Sequence, residues 1–562
     1  MGAACARDDS LAPRRKDGDT TVAMSETAKP DPEEGDPAAP RRSKRERRAP
    51  RRRAGEYGLR AWLDGTPLPR EMALVFGLWL PALVLAVNLW RVHAFTIDDS
   101  FISYRYARNL AHGLGLVYNA GERIEGYTNF LFTVILAGGI KVGLDPEMLS
   151  KGIGVASAFG ALGLTYAISG RIMPYRTVPS VATWLLASTI VFSGWSVFGL
   201  ETGFFVCLIL GGLYLLLLET GSYGREEGPP EVAFPWSGVV FALAGLTRPE
   251  APLFFLLFTV LLGRGLVTRQ NAVRFALFWG PLLAHLVFRR VYYGAWVPNT
   301  ATAKTGNFEG QVQSGLGYVN DYVTHAGPVV YLALLGMGFG LARARRDVLA
   351  IALAALAWLG YVVVVGRDWM PYFRFLSPFE PLCFLLVDLG VRRAADRRDA
   401  ATNLALAAFA ALTIGHRSAR LRDAQADILG PSWKRFWDRS TKGTAEWLLN
   451  QPPGEMALGD IGYVGWKTDY PILDLLGLVD PVISKLPGGY LQKLGPGFTD
   501  RLFEKKSRYV LLISSNVDCQ HPSTPGSQVI WGDRRFREQY ELGGKLPLDG
   551  GFAWCFFQRK QP

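Results

Sequence analysis

The chain has 562 residues, with 61 Lys and Arg against 49 Asp and Glu, a net charge of +12. Only 20% of the residues are charged, while 49% are apolar and 12% aromatic. A string of soluble domains is excluded, because apolar blocks near the ~20 residues that carry a helix across a bilayer recur from residue 71 to about residue 416.

Residues 1–70 are rich in Pro, Asp, Glu, Arg and Gly and read as a disordered, basic cytoplasmic tail. The run from Arg41 to Arg53 holds nine basic residues and one acid, so +8 of the +12 sits there and +4 remains elsewhere. Such a run suits nucleic acid or anionic lipid. Its place just before the first apolar block favours an orientation signal instead, so membrane lipids are expected as partners and nucleic acid is not. No cleavable signal peptide is expected near Met1.

Met72 to Trp90 is uncharged and reads as the first span, running outward. Further spans are predicted near 151–170, 178–194, 203–218, 233–247, 251–266, 272–289, 327–341, 348–366, 374–391 and 399–415, about eleven in all. The inside loops then hold Arg171 and Arg176; Arg225; Arg269; Arg343, Arg345 and Arg346; and Arg392, Arg393, Arg397 and Arg398. That bias follows the positive-inside rule, with the second loop weak. The parity requires that Phe130 to Val142, too short to cross comfortably, be a juxtamembrane helix inside a large first outer loop, 93–149. The fold class is a multipass α-helical membrane protein, residues 71–416, followed by an extracytoplasmic α+β domain, 417–562. That domain should start with a helix (Trp433 to Leu449) and continue in short strands at Met456–Leu458, Ile472–Leu475, Tyr509–Ile513 and Trp554–Phe557. Cys519 and Cys555 both fall in it, which leaves one disulfide open in an oxidising compartment.

The chemistry-bearing residues collect at outer helix ends. Asp98 and Asp99 stand side by side just beyond the first span, where one carboxylate could take a proton from an acceptor hydroxyl while the other orients it or holds a metal. The plain alternative is a solvated loop start, and Asp8-Asp9 shows that the pair alone is a weak signal. Arg248, Lys304, Arg367 and Arg374 are the outward cations, with Arg248 equally able to pair with Glu250 or Glu201 and merely hold a hairpin tip. Asp368 could bind acceptor hydroxyls or simply pair with Arg367 or Arg374. His93, His112 and His325 form no metal-ligand spacing, so no zinc is expected. No cofactor is required, although Mg or Mn would suit hard oxygen ligands at Asp98 and Asp99.

The stretch Thr96-Ile97-Asp98-Asp99-Ser100-Phe101-Ile102-Ser103-Tyr104-Arg105-Tyr106, continuing through Asn109 to Asn119 and Gly121 to Asn129, resembles the first outer loop of the GT-C glycosyltransferases. Within that group it is most similar to the branch of the mycobacterial terminal β-(1→2) arabinofuranosyltransferase and its bacterial relatives. Gly199-Leu200-Glu201-Thr202, Leu246-Thr247-Arg248-Pro249-Glu250, Val297-Pro298-Asn299-Thr300 with Ala303-Lys304, and Gly366-Arg367-Asp368-Trp369-Met370 match further, as do Gly459-Asp460-Ile461-Gly462 and Leu473 to Pro481. The resemblance covers roughly residues 72–562. It implies an inverting transfer of a sugar, arabinofuranose being one candidate, from a polyprenyl-phosphate donor to an envelope glycan on the outer face of the cytoplasmic membrane. The first-loop Asp would be the general base, Asp98 being preferred to Asp99 only by its order in the pair. Arg248, Lys304, Arg367 and Arg374 would face the donor phosphate, and Tyr104, Arg105, Glu125, Glu201, Glu250, Asn299 and Asp368 would contact substrate. A non-enzymatic envelope or motility-linked scaffold of the same fold is the alternative. A transporter is less favoured, since it predicts an internal repeat and mid-span charges that the sequence does not show. A reporter fused after residue 420 should be active only outside the cytoplasm; activity inside would overturn the orientation.

Overall fold

The structure, a computed structural model, describes residues 68–560 apart from 176–177, 224–225, 263–266, 305–306, 328, 342–344, 396–399, 489–492 and 496. The basic run 41–53 and Arg176, Arg225, Arg343, Arg397 and Arg398 lie outside the described residues.

Helix α1 (Arg70–Val92) starts after Pro69 and turns Trp79, Leu83 and Trp90 outward, as a lipid-facing helix must. The segment expected as the first outer loop forms two helices, α2 (Asp98–Ala111) and α3 (Phe130–Lys141), the latter at the stretch read as too short to span. They pack on each other through Phe101, Tyr104, Phe132 and Leu136. Helix α4 (Pro146–Ile172) is capped by Asp145, whose carboxylate accepts from the Met148 N–H at 2.8 Å.

The block expected as one span over 178–194 is instead two short helices, α5 (Val181–Ala187) and α6 (Ile190–Val197). The chain breaks at Ser188-Thr189, where the Thr189 hydroxyl accepts from the Val191 N–H and donates to Glu380 at 3.0 Å. A buried break needs such partners for its freed polar groups. Next come α7 (Thr202–Glu219), α8 (Trp236–Thr247), α9 (Ala251–Leu262) and α10 (Arg269–Tyr293). They are followed by α11 (Asn299–Lys304), α12 (Phe308–Ala326), α13 (Val329–Leu341), α14 (Arg346–Val365), α15 (Phe379–Ala395) and α16 (Ala400–Leu429). Among the described residues, five helices (α1, α4, α7, α10 and α14) are long and apolar enough to cross a membrane. The span expected to open at residue 374 begins at Phe379, which leaves Arg374 in a short 3-10 turn before it.

Helix α16 continues through residue 416 to Leu429, so the boundary expected there lies inside a helix. Beyond it α17 (Gly443–Leu449) and α18 (Gly462–Thr468) accompany a five-stranded mixed sheet. Its strands are β1 (Met456–Leu458), β2 (Ile472–Asp474), β3 (Tyr509–Ser514), β4 (Tyr540–Pro547) and β5 (Ala553–Arg559), in the order β2-β1-β3-β5-β4. β1 is parallel to β2 and β3, while β5 is antiparallel to β3 and β4. Strand β4 escaped the sequence reading because it is an exposed edge strand, interrupted by Gly543-Gly544 at a register shift.

Cys519 and Cys555 are bonded, with their Cα atoms 5.8 Å apart, and tie β5 to the loop after β3 across 36 residues. A loop of that length restricts the unfolded chain by about 4 kcal/mol in the chain-entropy account. Reduction, or Cys519→Ser, should therefore lower the midpoint of unfolding of the detergent-purified chain by several degrees. An unchanged midpoint in both cases would show that the bridge does not form.

Candidate functional site

Helix α2 rotates about 100° per residue, so consecutive side chains leave it in different directions. Asp98, Phe101, Arg105 and Arg108 follow one stripe and meet the C-terminal region. The Asp98 carboxylate accepts from the backbone N–H groups of Gly462 at 3.0 Å and Tyr463 at 2.8 Å, at the start of α18. A Cβ at Gly462 would collide with the Asp98 backbone, so only glycine permits this approach. Arg105 is buried and donates to the carbonyls of Tyr118, Gly465 and Tyr470 at 2.8–2.9 Å, with Tyr118 under its guanidinium at 4.2 Å. Arg108 reaches the Trp466 carbonyl and Asp469. A second stripe, Ser100 and Tyr104, turns to the helical bundle: Ser100 donates to the Phe198 carbonyl, and Tyr104 bonds Ser150 and the Gly199 carbonyl.

The third stripe, Asp99, Ile102 and Ser103, lines a cavity of about 450 Å³. Opposite it stand Glu201, Arg248, Glu250, Thr300, Lys304, Tyr361 and Arg374, brought from α6–α7, α8–α9, α11, α14 and the turn before α15. Burial pushes the Asp99 carboxyl up to about 6, with the Arg374 and Lys304 charges pulling it back down. Asp98 is pushed up to about 7, by burial first and then by Asp460, while its two backbone donors oppose the rise.

The cations differ in how they are held. All three guanidinium nitrogens of Arg248 engage carboxylates: Nη1 meets Glu201 at 2.8 Å, and Nη2 and Nε meet Glu250 at 2.9 and 3.3 Å. Asn129 donates to the other Glu201 oxygen at 2.8 Å, and the Tyr361 hydroxyl donates to Glu250 at 2.8 Å. Arg374 uses Nε and Nη2 on Asp368, at 2.7 and 3.2 Å, with Nη1 outside that pair. The turn that aims it is strained, since Tyr372 and Phe373 both have left-handed φ, near 57° and 52°. Two indole N–H groups hold it, Trp195 on the Tyr372 carbonyl at 3.1 Å and Trp358 on the Phe375 carbonyl at 2.7 Å.

Several residues expected at substrate lie elsewhere. Arg367, expected at the donor phosphate, is half-exposed and paired with Asp321 at 2.5 Å, outside the cavity lining. Tyr104 and Arg105 are spent on the buried contacts above, so neither presents a surface to a sugar. Glu125 pairs with Arg289 at 2.5 Å, and Asn299 donates to the carbonyls of Gly477 and Leu478. Both therefore fasten loops together. Asp368 sits behind Arg374 as its partner. Conversely, Asn129, Thr300 and Tyr361 line the cavity without having been assigned a role; a lone phenol in an apolar helix was the signal for Tyr361. Among the described residues, no group of three or more His, Cys, Asp or Glu side chains is placed to hold a metal ion.

Residues 434–557 match a family described as "Domain of unknown function (DUF8728)". The chain is 29% identical over 295 residues to the terminal beta-(1->2)-arabinofuranosyltransferase of Mycobacterium tuberculosis, covering 49% of this chain and 46% of that one. It is 28% identical over 350 residues to the protein of the same name from Corynebacterium glutamicum, covering 52% and 48%. The chain thus spans about half the length of these curated relatives. Among solved structures it is similar to ArnT from Cupriavidus metallidurans in the apo state (TM-score 0.56, 12% identity, 86% of this chain and 98% of that one). It is also similar to ArnT bound to undecaprenyl phosphate (TM-score 0.53, 12% identity, 87% and 98%). The chain thus has the fold of ArnT, and the relatives it matches are named arabinofuranosyltransferases, in keeping with the resemblance of the segment 96–129.

Proposed function

We propose that the chain is an inverting glycosyltransferase that moves a sugar, with arabinofuranose the leading candidate, from a polyprenyl phosphate to an envelope glycan. The observation that carries this reading is the cavity itself, in which the Asp99 carboxylate lies under the charges of Arg374 and Lys304. The acceptor hydroxyl oxygen attacks the anomeric carbon, its proton passes to Asp99, and the bond to the lipid phosphate breaks with its electron pair leaving on the phosphate. Positive charge beside the departing phosphate stabilises that step, and the oxocarbenium-like centre is flanked by acids. Exposed Phe308 and Val364 at the cavity wall suit an isoprenoid chain. The membrane region would cross about eleven times, counting the broken α5–α6 segment, with the N-terminal tail cytoplasmic. A disulfide in the C-terminal domain supports placing that domain on the oxidising, extracytoplasmic side.

Asp98, preferred by order alone, is on this geometry a positioning residue, and the base is Asp99. Membranes carrying Asp99→Asn, given radiolabelled polyprenyl-phosphate sugars and an envelope glycan, should transfer ~10²–10⁴-fold more slowly than the parent chain. Asp98→Asn should keep most of the rate while losing about 1–3 kcal/mol of stability, because one backbone N–H then faces an amide NH₂. Equal transfer by parent and Asp99→Asn membranes would remove the catalytic assignment. The base works only when ionised, so kcat/KM should be full well above pH 6 and fall as the pH drops through about 6. A rate rising on acidification would contradict it.

A further inference from the structure

The cavity wall carries two groups of opposite character. Arg248 has its single positive charge opposed by two carboxylates, and every guanidinium nitrogen is already bonded to one of them. That cluster carries a net negative charge and would repel a phosphate. Three of its four carboxylate oxygens keep an unused lone pair, however, since Glu201 Oε1, Glu201 Oε2 and Glu250 Oε2 each accept only one of the bonds above, while Glu250 Oε1 accepts two. Oxygens fixed by Asn129, Arg248 and Tyr361 are pre-aimed acceptors for hydroxyl groups.

The other group lies on α11 and the turn before α15. Thr300 and Lys304 are one helical turn apart and both line the cavity. Thr300 is only 7% exposed, yet its hydroxyl has no hydrogen-bond partner among the described residues. An orphaned buried hydroxyl costs free energy unless a ligand completes it. Arg374, which also lines the cavity, keeps Nη1 outside its pair with Asp368. A hydroxyl and two cations are the donor set a phosphate takes.

Building on the transferase reading above, we infer that the cavity is divided: Thr300, Lys304 and Arg374 hold the lipid phosphate, and the Glu201–Arg248–Glu250 cluster holds hydroxyls of the transferred sugar. Arg248 then anchors acids and is not a phosphate ligand, and Thr300 is an additional phosphate contact.

The test uses the full-length chain in nanodiscs and undecaprenyl phosphate as the probe, with binding measured by titration alongside transfer. Thr300→Val, nearly isosteric, should weaken binding of the probe at least about tenfold, the worth of a hydrogen bond to a charged group. Glu250→Gln and Tyr361→Phe should bind the probe as the parent does or more tightly, while raising KM for the lipid-linked sugar. Thr300→Val binding like the parent would overturn the inference, as would equal losses of probe affinity in Glu250→Gln and Tyr361→Phe. This pattern of probe binding without sugar transfer from any donor would uphold the phosphate site at Thr300, Lys304 and Arg374 and defeat the transferase reading together with the sugar site. A parent chain that does not bind the probe would defeat both.

Discussion

The rotation of one fourteen-residue helix governs the molecule's working end. Helix α2 starts with two acids in its first turn, where the helix dipole favours them. The 100° step between them sends Asp98 to the C-terminal region and Asp99 to the cavity. The same helix presents Ser100 and Tyr104 to the bundle. Three bodies of structure thus take their positions from one rod. Arg105 fixes the arrangement, because a buried guanidinium bonded to three carbonyls cannot shift without stranding all of them at a cost of about 1–3 kcal/mol each.

Charge at the cavity obeys a second constraint. Removing a guanidinium from water is expensive, so a buried arginine needs partners for its donors, and at the cavity those partners are acids. Arg248 brings two and Arg374 one, and the difference decides what each can still bind. Away from the cavity the same rule yields tight, inert pairs such as Glu219–Arg274 and Asp388–Arg392. A pair that is fully buried and balanced has its charge already compensated. A group left one acid in excess, or with one donor edge outside its pair, has capacity left for a ligand.

Much of the architecture was legible because bilayers and sheets impose simple periods. Most of the apolar blocks became helices at the places expected, and three of the four expected strands appeared with boundaries shifted by no more than one residue at an end. The misses have local causes. Apolar length alone does not reveal a break such as Ser188-Thr189, since the groups that satisfy it come from Glu380, 191 residues away. Strand β4 lacks an apolar rhythm because one of its edges is unpaired, so its side chains need not alternate.

The site divides along the same line. Residue type and spacing, together with the likeness of the first outer loop to a known family, brought Asp99, Glu201, Arg248, Glu250, Lys304 and Arg374 into consideration. All of them line one cavity. Sequence order could not separate Asp98 from Asp99, because the choice depends on which side of α2 the C-terminal region covers. Nor could it distinguish Arg367 from Arg374, two cations seven residues apart, of which one pairs at the surface and the other is turned inward by a strained, indole-clamped turn. The sequence by itself determined which charges stand at the ends of apolar segments, since apolar length and charge placement are properties of the chain. Only the tertiary structure decided which of those charges are neutralised and which remain open to a ligand, because that depends on partners brought together from distant segments.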